Sequence, residues 1–434
     1  MKEIKREFYE KLEKSCDDPV IILMTGIRQS GKTTALRHLK EKWQGKFLWV
    51  DCDRFDTRNR YKEDPMELIV DIEAEIGISL KGFQGRTAVF IDEIQKCPVL
   101  FDVVKWIHDQ FKEKVKFFLT GSSSVSLHRG ASESLAGRVE IFKIFPLTIR
   151  EALRFDWSDT EIGGNFAKII STGFDEKIYK ELTEWSRPFK SRVERRLPEL
   201  LLLGFMPALF SIEDQRKKWI YLKNFRETYI ERDIRGEIGI KNLSEFSKLM
   251  VVLANRVSSS YSWESVGVKI GLDRRTVKKY FSILQATYVL VEILPYFSNI
   301  EKKMVKTPKF YFVDNGIRNE LAGTFSQRTA EAREEMGKLY EQLVVNEIRK
   351  QLAYSDIPHT IHFSRNYSGS EVDLVIEAET GLIPVEIKKG TGKIKGLYDF
   401  MEKHSKEIAF GLVVGKDFEK MGEKIYSLPL YAII

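Results

Sequence analysis

Small and hydroxyl-bearing residues surround a lysine near the start of the chain, at the spacing that a bound phosphate requires. An apolar run over residues 20–24 precedes them and a helix-like pattern follows. Glycines at 26 and 31 let backbone N–H groups approach an anion, because no Cβ stands in the way. Lys32 would bind the β- and γ-phosphates of ATP, and Thr33 would bind Mg²⁺. The predicted nucleotide-binding residues are Gly26, Arg28, Gln29, Ser30, Gly31, Lys32, Thr33 and Thr34.

Two acids, Asp92 and Glu93, end the apolar run over residues 88–91. A strand that ends in acids downstream of a phosphate loop is typical of the second half of an ATPase site. Asp92 would hold the Mg²⁺, and Glu93 would orient and deprotonate the attacking water. These two residues therefore complete the predicted hydrolytic site.

Hydroxyl and guanidinium groups further along the chain are candidates for sensing or stabilising the γ-phosphate. Thr120 and Ser122 follow the apolar run 115–119, and the sequence leaves open which hydroxyl faces the nucleotide. Arg138 precedes the apolar run 139–142 and would stabilise transition-state charge, either in its own chain or from a neighbouring subunit. Arg129 is a rival, and a plain surface arginine is an equal alternative.

Alternating patterns predict how these residues are positioned. Up to about residue 150, short apolar runs alternate with amphipathic helical stretches, which predicts a parallel sheet with helices on both faces. Residues 151–240 are helical and strongly charged, and we interpret them as a lid or linker. Residues 244–295 predict a helix, a second helix, a turn at Gly271 and a third helix from Asp273.

The third of these helices carries the basic residues Arg274, Arg275, Lys278 and Lys279 on its outer face. Asp273 would cap the helix, and Val277, Tyr280 and Phe281 would face the core. Apolar residues at 288–293, 295–297 and 310–313 suit a wing that follows. The pattern predicts a winged helix, with two alternatives: the helix enters the major groove of DNA, or the module serves only for packing.

Acidic residues and a lysine recur in the last hundred residues. Asp373 and Glu386 fall on two predicted strands around the turn at residues 380–381, and Lys388 shares a strand face with Glu386 by the period of two. Glu341 lies on a predicted helix. Asp373, Glu386 and Glu341 would share Mg²⁺, with Lys388 beside them.

Six motifs give the chain a resemblance to a large prokaryotic family of AAA-like ATPases. The resemblance implies a C-terminal winged helix and a restriction-endonuclease-like domain, in which the order of Glu341, Asp373, Glu386 and Lys388 matches the PD-(D/E)xK nuclease site. One departure is the run 203–207, where the family tends to show a Gly-Gly-Phe-Pro-like sequence. The motifs are Gly26-Ile27-Arg28-Gln29-Ser30-Gly31-Lys32-Thr33, Thr120-Gly121-Ser122-Ser123, Leu135-Ala136-Gly137-Arg138, Phe145-Pro146-Leu147-Thr148-Ile149-Arg150-Glu151, Tyr229-Ile230-Glu231-Arg232-Asp233-Ile234 and Phe312-Val313-Asp314-Asn315-Gly316-Ile317-Arg318.

Composition sets the remaining expectations. The chain has 434 residues and a net charge of +7, which permits nucleic-acid binding without requiring it. Its 3 cysteines show no paired spacing, so we expect neither a disulfide framework nor a zinc site, and a cytoplasmic location. No apolar run is long and uncharged enough to cross a membrane.

The fold class expected from these observations is α/β: a P-loop AAA-like parallel sheet with helices on both faces (1–150), a helical lid (151–240), a winged helix (241–320) and a small α/β endonuclease-like domain (321–434). Three functions are compatible with it. The favoured one is an ATP-hydrolysing enzyme that acts on nucleic acid, with DNA favoured over RNA. The others are a nucleotide-switched regulatory protein with a silent C-terminal site, and a ring-forming remodeller of proteins. Homo-oligomers or protein partners are compatible with all three.

Overall fold

The structure is a computed structural model, and it describes residues 4–122, 135–156, 165–238, 240, 242–259, 262–296, 308–366, 369–390, 392–415 and 417–434. Only the backbone is described at residues 156, 165, 231 and 237. None of the helices in these ranges is long and apolar enough to span a membrane.

The N-terminal sheet has five strands in the order β2-β3-β4-β1-β5, and every pair is parallel. The strands are β1 (Ile21–Thr25), β2 (Phe47–Asp51), β3 (Thr87–Asp92), β4 (Val115–Gly121) and β5 (Val139–Lys143). The associated helices are Tyr9–Lys14, Lys32–Lys42, Phe55–Glu63, Glu67–Ile76 and Leu100–Phe111, with a 3₁₀ turn at Ile94–Lys96.

Alternation along the strands explains why helices cover both faces of this sheet. Successive side chains of a strand point to opposite faces. On β1, Ile21 and Leu23 pack into the core that includes helix Leu100–Phe111, whereas Ile22 and Met24 pack into the core that includes helix Lys32–Lys42. The predicted parallel sheet with helices on both faces is confirmed.

The parallel arrangement brings the predicted ATPase residues to one edge. The carboxyl ends of parallel strands lie together, and ligands of such sheets bind outside that edge. β1 ends at Thr25, before the phosphate loop, β3 ends at Asp92, and β4 ends at Gly121, before Ser122. Because β4 lies between β3 and β1, these three ends are neighbours.

Helices dominate the middle of the chain, as predicted. A π-helix at Tyr229–Glu237 extends the last of them, and such helices are frequent at functional sites. The α-helices are Ile149–Asp156, Asn165–Thr172, Glu176–Ser186, Lys190–Leu203 and Gln215–Thr228, with 3₁₀ turns at Arg187–Phe189 and Pro207–Ser211.

Three helices then precede an antiparallel strand pair: Leu243–Ala254, Trp263–Ile270, Arg274–Ala286, β6 (Leu290–Pro295) and β7 (Lys309–Phe312). The Asp273 carboxylate accepts the N–H groups of residues 275 and 276, so the predicted cap is confirmed. Val277, Tyr280 and Phe281 are buried, as predicted.

The second sheet has eight strands of mixed direction, in the order β12-β13-β11-β10-β9-β8-β6-β7. Since β6 pairs with β8 through residues 294–295, the strands predicted as a wing are continuous with the C-terminal sheet. The remaining strands are β8 (His359–Arg365), β9 (Glu371–Ala378), β10 (Gly381–Ile387), β11 (Gly411–Gly415), β12 (Glu419–Lys420) and β13 (Ile425–Pro429). The helices are Asn315–Ala322, Gln327–Ala332, Met336–Tyr354, Lys395–Lys403 and Leu430–Ile433.

The run that departs from the family, residues 203–207, meets the motif at residues 312–318 in a buried turn. Gly204 has φ 75°, and a Cβ there would lie 2.2 Å from Asp314 Oδ1. The Phe205 N–H donates to Asp314 Oδ2 at 2.6 Å. This close approach explains the glycine at 204, and the run that departs from the family still forms a defined turn.

Candidate nucleotide site and C-terminal acidic cluster

The phosphate loop, residues 26–33, joins β1 to helix Lys32–Lys42. Gly26 has φ 148°, and a Cβ at this position would lie 2.1 Å from the carbonyl oxygen of Ile144. Gly31 has φ 105° and occupies the N-cap of the helix. Both glycines are therefore required by the backbone, and the helix begins with its N–H groups directed at the loop, as an anion site requires.

Lys32 is held inside this loop. Its Nζ donates to the carbonyl oxygens of Gly26 and Ile27, both at 3.0 Å. Burial lowers the pKa of Lys32, although the carboxylates of Glu93 and Asp92 oppose that shift. The ammonium is thus a cation with little water around it, which strengthens its interaction with a phosphate.

The two predicted Mg²⁺ ligands of the ATPase site are in contact. Thr33 Oγ1 donates to Asp92 Oδ1 at 3.2 Å, and the Thr120 hydroxyl donates to the same oxygen. Burial raises the pKa of Asp92, and these two hydroxyl bonds oppose the rise. Hydroxyl and carboxylate oxygens are the ligands that Mg²⁺ prefers, so Thr33 and Asp92 fit the ion.

Hydrogen bonds and a nearby cation surround the carboxylate of Glu93, the predicted general base. Its Oε2 accepts from Gln95 Nε2 at 2.5 Å and from Ser122 Oγ at 2.8 Å, and its backbone N–H donates to Thr120 Oγ1 at 2.9 Å. Burial would raise the pKa of Glu93, but Lys32 and these side-chain bonds outweigh it and lower the pKa. The two sensor candidates therefore have different partners. The Thr120 hydroxyl donates to Asp92 and accepts from the Glu93 backbone N–H, whereas the Ser122 hydroxyl donates to the Glu93 carboxylate.

Two residues of this site were missed from the sequence. Gln95 orients Glu93, and its position two residues after the acid was the available signal. Arg6 donates to the carbonyl oxygens of Ser30 at 3.0 Å and Phe145 at 2.7 Å, bracing the phosphate loop from the N-terminal segment. No pattern in the sequence distinguished Arg6 from the surface arginines.

A cavity of about 480 Å³ lies at the loop and is lined by residues from five separate parts of the chain. Thr34 and Arg37 come from the helix after the loop, and Pro207, Ala208 and Ser211 come from the middle helical segment. The full lining is Ile4, Arg6, Tyr9, Gln29, Gly31, Lys32, Thr33, Thr34, Arg37, Glu93, Leu147, Pro207, Ala208 and Ser211.

Two loop residues that we expected to contact nucleotide contact the helical segment. Arg28 Nη1 lies 2.5 Å from Asp233 Oδ1 on the π-helix. The Tyr221 hydroxyl donates to Gln29 Oε1 at 2.5 Å. Burial raises the pKa of Asp233, and Arg28 opposes that rise.

Arg138 lies at the opposite edge of the sheet from the phosphate loop. The Ile21 N–H, at the start of β1, donates to the Arg138 carbonyl at 2.9 Å, whereas the loop follows Thr25 at the other end. The strand between them spans about 13 Å. The Arg138 guanidinium instead binds Asp109, with Nε 2.5 Å from Oδ1. The alternative in which Arg138 acts on the nucleotide of its own chain is therefore wrong. The alternative in which it acts on the nucleotide of a neighbouring subunit stays a prediction. The rival candidate, Arg129, lies outside the described residues.

The four basic residues of helix Arg274–Ala286 are exposed, namely Arg274, Arg275, Lys278 and Lys279. Arg274 Nη1 lies 2.9 Å from Glu264 Oε1, and Lys278 Nζ lies 5.9 Å from the ring centre of Trp263. The positions are as predicted, and DNA binding stays a prediction.

The structure brings the four predicted nuclease residues into one cluster. Asp373 on β9 and Glu386 on the adjacent β10 repel each other, and burial followed by this repulsion raises the pKa of Glu386 to about 7. Lys388 Nζ lies 2.6 Å from Glu386 Oε1. Glu341 enters from helix Met336–Tyr354, and burial raises its pKa to about 6.

Lys309 and Tyr311, which the sequence reasoning missed, occupy the centre of this cluster. Lys309 Nζ lies 3.1 Å from Glu341 Oε1 and 3.5 Å from Asp373 Oδ1. The Tyr311 hydroxyl donates to Glu341 Oε1 at 2.7 Å. Within the ranges that the structure describes, no three His, Cys, Asp or Glu side chains are arranged to hold a metal. The three acids Glu341, Asp373 and Glu386 thus do not form the preformed metal site that we expected.

Family models match the chain in three parts. An AAA domain matches residues 18–153, and two domains of unknown function, DUF8612 and DUF4143, match residues 194–328 and 336–433. An uncharacterized protein of Mycobacterium tuberculosis is 25% identical over 390 residues, covering 89% of this chain and 74% of the relative. An uncharacterized protein of Methanocaldococcus jannaschii is 26% identical over 335 residues, covering 74% and 67%.

Two solved structures are similar at low TM-scores. The Walker-type ATPase of Pyrococcus abyssi gives a TM-score of 0.45 at 17% identity, covering 74% of this chain and 96% of its own. The RuvB Holliday junction branch migration motor of Thermotoga maritima gives 0.27 at 14%, covering 66% and 89%. At such scores neither similarity bears on function. The matched AAA domain and the geometry of the phosphate loop agree that this chain carries an AAA-type P-loop ATPase domain, a fold that supports ATP binding and hydrolysis.

Proposed function

We propose that this chain is an ATP-hydrolysing enzyme that couples its nucleotide state to the binding of DNA by helix Arg274–Ala286. The observation that carries the proposal is a pair of contacts, one partly buried and one buried, that leads from the phosphate loop, through the π-helix Tyr229–Glu237, to the end of that helix. Each contact joins two polar side chains. A movement of the phosphate loop is therefore passed through these contacts to helix Arg274–Ala286.

The first contact joins the phosphate loop to the π-helix through Arg28 and Asp233, 2.5 Å apart. Asp233 interacts electrostatically with Lys32 and Glu93, so it lies near the γ-phosphate position. A γ-phosphate on Lys32 adds negative charge beside the Asp233 carboxylate, and hydrolysis removes it. We infer that ATP and ADP therefore favour different positions of the π-helix.

The second contact joins the π-helix to helix Arg274–Ala286. The Tyr229 hydroxyl lies 2.6 Å from Thr287 Oγ1, at the residue that caps the helix C-terminus. Tyr229 and Thr287 are both buried. Because the interior is close-packed, a shift of Tyr229 must move its neighbours instead of being absorbed by solvent.

The far end of this route presents positive charge to solvent. Arg275, Lys278 and Lys279 are exposed on the helix whose Asp273 cap fixes its N-terminus. A basic helix that follows a helix and a tight turn is the element that helix-turn-helix proteins place in the major groove. Phosphate neutralisation by such residues makes the affinity depend on salt.

The residues of the site divide the hydrolysis reaction among themselves. Lys32 and the loop N–H groups neutralise the phosphates, and Thr33 and Asp92 would hold Mg²⁺, which supplies charge neutralisation between the β- and γ-phosphates when bound. Glu93, oriented by Gln95, accepts a proton from the attacking water.

A second candidate, assembly into a ring, is favoured by the position of Arg138. Its guanidinium is 33% exposed at the sheet edge away from its own nucleotide site. An arginine so placed contributes to catalysis only where a neighbouring subunit supplies the nucleotide. Protein remodelling by such a ring is the alternative to action on DNA.

The experiment that tests the proposal measures binding of labelled single-stranded, duplex and branched DNA, and of RNA, beside ATP hydrolysis. We expect DNA binding with a salt dependence whose slope falls by about 2 when Arg275 and Lys278 are changed to alanine together. The matched control replaces Lys177 and Lys180, exposed on a different helix, with alanine. ATP turnover without binding to any of these nucleic acids would move the function to protein partners.

Cleavage is followed in the same reactions. If the acidic cluster cuts nucleic acid, Asp373→Asn and Lys388→Ala together abolish the Mg²⁺-dependent cleavage and leave ATP turnover intact, because the cluster and the phosphate loop lie on different sheets. Cleavage that survives both changes would contradict the assignment of these residues.

A further inference from the structure

Lys309 is a buried cation with three acidic neighbours. Its side chain is 2% exposed. The ammonium lies 3.1 Å from Glu341 Oε1 and 3.5 Å from Asp373 Oδ1, and it also contacts Glu371 Oε1. A buried charge is tolerated when it is paired and hydrogen-bonded, and these carboxylates supply both conditions. The carboxylates therefore hold the Lys309 ammonium inside the cluster.

The backbone fixes the point from which this side chain extends. Lys309 pairs with Ile293 in the β6–β7 ladder, so the position of its Cα is set by the sheet. The carboxylates are directed at it by further bonds. Asp373 Oδ2 accepts the Ile387 N–H at 2.9 Å, which leaves Oδ1 on the side of Lys309, and Glu341 Oε1 also accepts from Tyr311.

The spacing of the oxygens fits an ammonium better than a divalent cation. Mg²⁺ binds oxygen at about 2.0–2.1 Å, whereas N–H···O bonds place the heavy atoms about 2.7–3.2 Å apart. Glu341 Oε1 lies 3.1 Å from Lys309 Nζ, within the hydrogen-bond range, and Asp373 Oδ1 lies 3.5 Å from it, at ion-pair distance. A metal between these two acids would also lie against the ammonium, and the two positive charges would repel each other.

We propose that Lys309 is a built-in cation that takes the place of a divalent metal between Glu341 and Asp373. The C-terminal cluster then contains no cation site that uses Glu341. The Glu386 edge differs, because Glu386 Oε2 is buried and makes no hydrogen bond with the described residues. We therefore place any divalent cation of this cluster beside Glu386. This inference does not depend on the nucleotide site or on DNA binding.

The experiment titrates Mn²⁺ into nucleotide-free full-length protein and follows free Mn²⁺ by electron paramagnetic resonance. We expect Lys309→Met to bind one Mn²⁺ ion more per chain than the wild type, since the methionine removes the charge and keeps the length of the side chain. The additional ion is lost again when Glu341→Gln is added. Thermal unfolding provides a second readout, because Mn²⁺ should raise the Tm of Lys309→Met more than that of the wild type.

The single variant Glu341→Gln decides the question if Lys309→Met does not fold. The proposal expects Glu341→Gln to leave the wild-type Mn²⁺ stoichiometry unchanged, and the amide oxygen can still accept from Tyr311. Loss of a Mn²⁺ ion in this variant would show that Glu341 is a metal ligand and would overturn the proposal. A folded Lys309→Met that binds no more Mn²⁺ than the wild type would overturn it as well.

Discussion

Gln95→Leu isolates the orientation of the general base from the base itself. The leucine has nearly the same size as glutamine and cannot donate, so the 2.5 Å bond to Glu93 Oε2 is lost. The 2.8 Å bond from Ser122 to the same oxygen is kept. Glu93→Gln is the companion variant, because it removes the base and keeps the shape of the side chain.

The expected magnitude follows from the bonds to Glu93. A hydrogen bond to a charged group contributes about 1.5–3 kcal/mol, and one pKa unit corresponds to about 1.4 kcal/mol. Because Lys32 and the Gln95 hydrogen bond lower the pKa of Glu93, loss of Gln95 should raise that pKa toward the ordinary value of a glutamate. Glu93 acts as a base only when it is ionised. As the solution is acidified, ATP hydrolysis by the variant should therefore begin to fall at a higher pH than hydrolysis by the wild type.

The assay is steady-state ATP hydrolysis between about pH 4 and pH 8 at saturating ATP and Mg²⁺, a range that reaches the ordinary pKa of a glutamate. For Gln95→Leu we expect the acid limb of kcat to lie at a higher pH than in the wild type, with a smaller change at the plateau. Glu93→Gln should lose about 10²–10⁴-fold at every pH. Arg54→Ala, which removes an exposed ion pair in the same domain, is the control and should match the wild type. An unchanged acid limb in Gln95→Leu, or wild-type turnover by Glu93→Gln, would refute the assignment of the base.

Three further changes test other parts of the account. Lys32→Ala should abolish ATP binding, because it removes the buried cation of the phosphate loop. An ATP affinity like that of the wild type, measured by calorimetric titration, would contradict this. Arg138→Ala should lose hydrolysis that returns on mixing with Glu93→Gln subunits, if Arg138 acts on the neighbouring site; no recovery in mixed turnover assays would count against a ring. Gly204→Ala should lower the Tm markedly, since its Cβ would lie 2.2 Å from an oxygen of Asp314 and the backbone has φ 75°, and an unchanged melting curve would show that this turn relaxes freely.

The ATPase half of the fold could be predicted because its signals are local. Glycines at 26 and 31 and the acids at 92 and 93 lie directly after apolar strands, and parallel pairing brings such strand ends together. Helix caps are local as well, and Asp273 was identified from its position alone. For these residues, spacing along the chain determined the contacts in space.

Contacts between distant segments could not be predicted in this way. Arg28 was expected at the nucleotide, and its partner Asp233 lies on a π-helix whose backbone no simple periodicity describes. Lys309 follows a segment without acidic motifs, and only the pairing of β7 with β6 places it among the acids. Both residues depend on how separate segments pack, which one sequence does not specify.

Several of the motif residues proved to be structural. The Arg318 side chain is fully buried and binds Glu335 Oε2 at 2.9 Å and the Ala254 carbonyl at 2.7 Å. Asn315 donates to the carbonyl oxygens of Leu201 at 3.3 Å and Leu339 at 3.0 Å. Arg318, bound through its Nε and Nη1 atoms, and Asn315 both join the middle helices to the C-terminal half, so these motif residues stabilise the interface between segments.

The central claim is that the nucleotide in the phosphate loop controls the helix Arg274–Ala286 through Arg28 and Asp233. Its most direct test is the affinity of Glu93→Gln for duplex DNA with ATP and with ADP, because this variant should retain ATP without hydrolysing it. We predict affinities that differ by about tenfold or more, a difference of about 1.4 kcal/mol, and loss of that difference when Asp233→Asn is added. Equal DNA affinities with the two nucleotides, in protein that binds both, would contradict the coupling.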